Sequence, residues 1–315
     1  MAKRTPGAWG MGILLGLFLF RPDPFRAGAM DWPSPGEGIV SNFGYNRAGR
    51  PALGVSFETE EPVRAADVGE LFFFRSGGDN ASRLPSPMGS WLALDHGDGL
   101  ISIYSRFDED PEGQAGGSRP DLSVTQVDRN AIIAKAGKAG SALKGFFFAI
   151  FDRRERRWVN PSMIIAPLPD TRPPQIVSVT LIAEDGRHIG LLRLPRSGAQ
   201  SGAVQGRISQ GRYRIAVEAA DTRLGANERG LAPHRILCLI NGIETGILSF
   251  ETYSARDGVL MVDRKGLTPV SKVYDPHPAF DIGDVWLTRG QATLEVIVQD
   301  IAGNEQSAAV RFTVE

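Results

Sequence analysis

Side chains able to do nucleophilic or metal chemistry are sparse in these 315 residues: one cysteine, Cys238, and four histidines, His96, His188, His234 and His277. A hydrolytic zinc centre needs a converging set of His and carboxylate ligands, and no histidine lies between residues 30 and 95. His234 precedes Cys238 by four positions, a spacing that admits a thiolate–imidazole pair. The thiol, however, sits within Ile236-Leu237-Cys238-Leu239-Ile240, and apolar surroundings suppress thiolate formation. Cys238 is therefore expected to be a buried small hydrophobe, and a lone thiol makes no internal disulfide. Arg153-Arg154-Glu155-Arg156-Arg157 is a basic cluster that suits either a solvated turn or a tip meeting anionic lipid or acidic wall polymers.

The elements that must carry these residues read as short strands. With 37 Gly and 21 Pro the chain is dense in turn formers, which interrupt helices. Candidate strands lie at residues 39–43, 71–74, 91–94, 100–104 and 146–151. The sequence Asp95-His96-Gly97-Asp98-Gly99 forms a hairpin turn between two of them, since its glycines tolerate positive φ. Residues 167–174 contain Pro167, Pro169, Pro173 and Pro174, a run that sustains neither helix nor central strand and reads as a semi-rigid linker. Beyond it, residues 176–182, 213–219, 235–240 and 293–298 read as strands of an antiparallel sandwich, with residues 242–290 as an elaborated insertion. The endings of residues 213–221 and 294–300 echo each other, and Asp300 leads into Ala302-Gly303-Asn304.

Composition bounds the function class. Hydrophobic content is 42%, charged content 23% and net charge −1, which fits folded domains and lacks the basic excess of an electrostatic nucleic-acid binder. Lys3 and Arg4, the apolar residues 9–20 and Ala27-Gly28-Ala29 together form the three parts of a secretory signal peptide. An uncleaved membrane anchor is the competing reading, though the apolar run is short for a bilayer. The expected organisation is a signal peptide over 1–29, one β domain over 30–166, the linker over 167–174 and a β-sandwich over 175–315. No later segment is long and apolar enough to be a transmembrane helix, and the destination is the periplasm or cell envelope.

Across residues 32–161 the order of landmarks resembles the lysostaphin-like (LytM-type) peptidoglycan endopeptidases. Ser41-Asn42-Phe43-Gly44-Tyr45-Asn46-Arg47 is similar to the family's opening strand and "FGxR"-like turn, and residues 62–69 to its "pVxAaxxGxV" segment. Residues 94–105 resemble the "HGxGxxTxYxH" hairpin, residues 127–141 the "VxxGxxIgxxGxTGxS" segment, and Val159-Asn160-Pro161 the closing "NP". The resemblance implies an all-β chain: a lysostaphin-like (duplicated hybrid motif) β domain followed by an immunoglobulin-like β-sandwich. It also implies where zinc chemistry belongs. The family's "HxGxD" falls on Ala52-Leu53-Gly54-Val55-Ser56, its "HxH" on Gly145-Phe146-Phe147, and the His of "YxH" on Arg106. Every ligand and both assisting histidines are replaced, and Gly, Ala and Phe side chains hold no metal.

The resemblance therefore implies a pseudo-endopeptidase without catalytic residues, metal or cofactor. Its vestigial groove involves Ala52, Ser56, Tyr104, Arg106 and Phe147. Phe147 either fills the old site as apolar core or lines a groove. Arg106 is either a solvated surface residue or a rim group that holds a carboxylate in bidentate fashion. The expected partners are peptidoglycan, a cell-wall hydrolase or another envelope protein, with no nucleic acid. The alternatives are an active metalloendopeptidase with a non-standard site and a structural envelope assembly protein.

Overall fold

A computed structural model describes residues 30–35, 38–75, 88–107, 125–137, 145–166, 168–193, 207–221, 230–274 and 278–315. The expected signal peptide, His277 and residues 138–141 of the expected motif lie outside them. The chain is all-β: among the described residues there is no α-helix, and none long and apolar enough to cross a membrane.

Among the described residues, ten strands precede the proline-rich segment. They are β1 (Ile39–Ser41), β2 (Val55–Phe57), β3 (Pro62–Arg64), β4 (Gly69–Arg75), β5 (Ser90–Asp95), β6 (Leu100–Phe107), β7 (Gln126–Val127), β8 (Ile132–Lys135), β9 (Phe146–Asp152) and β10 (Arg157–Val159). Ten follow it: β11 (Gln175–Ala183), β12 (His188–Arg193), β13 (Gly211–Ala220), β14 (Arg235–Ile240), β15 (Ile243–Arg256), β16 (Val259–Asp263), β17 (Leu267–Pro269), β18 (Phe280–Leu287), β19 (Gly290–Gln299) and β20 (Glu305–Val314). The expected strands all appear, and Asp95 to Gly99 does join β5 to β6, with Gly97 and Gly99 at φ of 78° and 93°. The stretch read as an insertion instead supplies β15 and β18, which are integral strands of two different sheets.

The two halves expected as separate domains share one sheet. Its strand order is β20-β19-β14-β15-β10-β9-β6-β5-β4-β7, with β1 and β2 added through β9. The join is β10 against β15, where Arg157, Trp158 and Val159 pair with Ser254, Tyr253 and Thr252. A second sheet, β12-β11-β13-β18, packs on the β14–β15–β19–β20 end through Val179, Leu181, Ile215, Val217, Ile236, Leu248 and Val296. Burial alternates along β14 and β19, as one-sided strands require. A second core lies around Val55, Phe57, Leu92, Leu94, Tyr104, Phe148 and Ile150.

Contacts across the proline-rich segment extend beyond the sheet. Phe43 belongs to the sandwich core and lies 5.0 Å from Tyr253, ring to ring. The Asn42 side chain donates to Ala232 O at 2.8 Å and accepts from Ala232 N at 2.7 Å. The Tyr274 hydroxyl donates to Gly44 O at 2.8 Å, and the Tyr253 and Tyr274 hydroxyls are hydrogen-bonded to each other. These bonds fix the residue 42–52 loop against the C-terminal half.

Candidate functional site

Cross-strand register brings two of the five expected groove residues, Ser56 and Phe147, into one row. Ser41 pairs with Ser56 between β1 and β2, Ser56 with Phe147 between β2 and β9, Phe147 with Ser105 between β9 and β6, and Ser105 with Trp91 between β6 and β5. Directly opposed residues point to the same face, so these side chains line one surface, about 14 Å from Ser56 to Trp91 at ordinary strand spacing. Ser41, Ser56 and Ser105 are buried, whereas Phe147 and Trp91 are half-buried. The Phe147 ring covers Gly54, whose added Cβ would stand 2.7 Å from Phe147 Cζ. At the far end Trp91 stacks on Phe73 with centroids 4.3 Å apart.

Arg106 reaches this face through a bulge. Between β5 and β6 the register slips so that Ser90 opposes Phe107 while Trp91 opposes Ser105, leaving Arg106 as the extra residue with φ of 65°. Bulges re-aim side chains that strict alternation would send elsewhere. Here the exposed Arg106 places its guanidinium carbon 5.8 Å from the Phe147 ring centroid, a cation–π contact.

Arg47, which was not singled out from the sequence as a site residue, completes the cluster. It sits in the tight hairpin tip where Arg47 N bonds Arg50 O at 2.7 Å and Gly49 N bonds Asn46 Oδ1 at 2.9 Å. Its Nη2 donates to Ser41 Oγ at 2.8 Å and Ser56 Oγ at 2.9 Å. Burial, reinforced by the like charge of Arg106, lowers the Arg47 pKa from its ordinary value, although a guanidinium stays charged at neutral pH. Among the described residues no carboxylate forms an ion pair with Arg47 or Arg106. The only sequence hint was the "FGxR"-like turn; the serine pairing depends on register that spacing does not reveal.

Two expected groove residues lie elsewhere. Tyr104 faces the opposite side of β6, fully buried in the core. Its hydroxyl accepts from Ala66 N at 2.8 Å and lies 3.2 Å from Ser102 Oγ, and burial raises its pKa to about 12. Alternation explains the correction: Ser105 takes the groove side, and the bulge then adds Arg106 to it. Ala52 is buried in the stem of the loop that bears Arg47, where its backbone bonds Tyr45 O at 2.9 Å and Gly44 N at 2.8 Å. It therefore supports the loop and lies off the row.

The remaining chemical candidates have structural surroundings. His96 Nδ1 is 2.7 Å from Val68 O and must donate to it, and Nε2 is 2.8 Å from Ser102 Oγ. Cys238 is fully buried. In the basic turn, Arg153 pairs with Asp95 at 2.9 Å, while Arg154 and Arg157 approach Asp152 at 4.0 and 3.8 Å, so partners within the chain offset much of its charge. In the C-terminal half, Asp170, Asp221 and Asp300 bring carboxylate oxygens within 4.8 Å of one another. Asn304 binds this group through Asp300 Oδ2 at 2.8 Å and Asp170 O at 3.2 Å. Asp221 and Asp300 are the acidic residues at the two echoed strand endings, and clustered carboxylates alone do not define a metal site.

Comparison with known proteins adds one match: the model of an uncharacterised family aligns with residues 173–315. No curated protein matches the chain. The matched segment begins at the end of the proline-rich run and covers the sandwich, while the Arg47–Arg106 face lies outside it.

Proposed function

We propose that the protein is a non-catalytic pseudo-endopeptidase of the cell envelope that binds peptidoglycan, or regulates the enzymes that cut it, through the Ser41–Trp91 face. In this reading residues 30–166 are a degenerate lysostaphin-like domain and residues 175–315 an immunoglobulin-like sandwich. The observation that carries the proposal is the direct opposition of Ser56 and Phe147 across β2 and β9. These are two positions at which the resemblance expects metal ligands, and their adjacency in the fold supports the alignment. A hydroxyl beside an aromatic ring does not supply the His and carboxylate set that zinc hydrolysis requires. The same face offers Arg47 at one end, Arg106 over the central Phe147 ring and stacked aromatic rings at the other end, an arrangement suited to a ligand with acidic and ring-shaped parts.

The test is incubation of the full chain with purified peptidoglycan, with and without added zinc, followed by separation of soluble from insoluble material. Co-sedimentation of the protein without release of wall fragments is the expected result. Zinc-dependent fragment release contradicts the proposal, and a protein that stays entirely in the supernatant removes its wall-binding form and leaves regulation of a hydrolase.

A further inference from the structure

Resting on the reading that this face binds wall material, we propose that Arg47 and Arg106 form an oxyanion site that takes a free carboxylate of the bound peptide. The two guanidiniums flank the opposed pair Ser56 and Phe147: Arg47 hydrogen-bonds the Ser56 hydroxyl at 2.9 Å, and Arg106 lies over the Phe147 ring at 5.8 Å. Like charges brought together repel, more strongly as water is excluded. Arg47 is half-buried, and the described residues provide neither cation with an ion-pair partner. An anion placed between them offsets both the repulsion and the lost hydration.

Donor accounting points the same way. A guanidinium carries five N–H groups. Arg47 commits Nη2 to the two buried serine hydroxyls, which fixes its position and leaves Nη1 and Nε for a ligand. The cation–π contact of Arg106 uses its charge and leaves its N–H donors available. The backbone is also held for this arrangement: Arg106 adopts φ of 65° at the bulge, a left-handed conformation that is strained for a non-glycine residue. Relaxing that bulge would return Arg106 to strict alternation and take it off the Phe147 face. A carboxylate is the anion that peptide termini and acidic side chains present, and it forms charge-assisted bonds with arginine.

The proposal is tested by calorimetric titration of the full chain with N-acetyl-D-alanyl-D-alanine, its C-terminal amide and methyl phosphate. Saturable binding of the free acid is expected, with the amide about tenfold or more weaker, as loss of charge-assisted hydrogen bonds implies. Arg106→Gln, at an exposed position, should weaken the acid by a similar factor and so close most of the gap between acid and amide. Arg47→Lys, checked for native circular dichroism, should do the same. Equal affinity for acid and amide, or tighter binding of methyl phosphate than of the acid, overturns the carboxylate assignment. If the wall is retained but the acid does not bind, the carboxylate site fails while peptidoglycan binding stands; if neither binds, both fail.

Discussion

Cys238 and His234, the pair whose spacing first suggested nucleophilic chemistry, are held apart from such a role by burial. Cys238 is fully enclosed in the sandwich core, and burial pushes its thiol well above the ordinary range. The native protein should therefore resist a thiol-specific colorimetric reagent at pH 8 for hours and react with one equivalent after denaturation; rapid labelling of the native chain would show an accessible thiol. Burial also lowers the His234 pKa, outweighing the nearby Glu251 carboxylate, and its Nδ1 has no hydrogen-bond partner among the described residues. The sign follows from linkage: the folded state disfavours the protonated ring, so the unfolded chain takes up more protons as pH falls through about 6.5. Stability contributed by neutral His234 is present above that pH and lost on acidification. His234→Asn should reduce the drop in urea midpoint between pH 7.5 and 5.5, and an unchanged drop would assign the effect to other groups.

At the scale of elements, the loop between β1 and β2 positions Arg47, and its anchors come from distant strands. Gly44 adopts φ of 84°, and an added Cβ would stand 2.6 Å from Phe250 Cδ1. Gly44→Ala combines backbone strain with a clash and is expected to cost about 1–3 kcal/mol, read as a lower denaturant midpoint. Tyr274→Phe removes the donor to Gly44 O, and a buried carbonyl left without its bond costs about 1–3 kcal/mol. The variant should lower stability and weaken acetyl-dipeptide binding together; weaker stability with unaltered binding would separate the anchor from the site. Strand existence was legible because runs such as Trp91 to Leu94 and Ile236 to Ile240 are apolar and bounded by turn formers. The row was only partly legible. Ser56, Phe147 and Arg106 came from aligned landmarks, but the one-residue slip at Arg106 and the pairing of Ser41 with Ser56 are long-range register choices. Tyr104 was misplaced for the same reason, since neighbouring strand residues face opposite ways and nothing local says which side is the groove.

Across the whole molecule, the proline-rich run at residues 167–174 divides the sequence without dividing the sheet. β10 pairs with β15, and Asn160 Nδ2 donates to Phe250 O at 3.0 Å. The run itself is tied to the β19–β20 turn by Asn304. Composition marked the run as unable to sustain a helix, and residues 168–174 contain none, but it carries no information about which strands pair across it. A segment covering residues 30–166 alone would expose the β10 edge together with Phe43 and Trp158, surfaces prone to aggregation. It should be insoluble or fail to unfold cooperatively, whereas a soluble segment with a sharp transition would show two independent units. In the proposed function, the face carrying Arg47, Phe147 and Arg106 holds wall material without cutting it. The most direct measurement is the fraction of full-length chain that sediments with purified peptidoglycan, wild type beside Arg106→Gln at equal stability. Substantial sedimentation of the wild type and a several-fold loss in the variant is the predicted result; a wild type that stays in the supernatant would contradict wall binding, and equal sedimentation of the two would contradict binding through the Arg106 face.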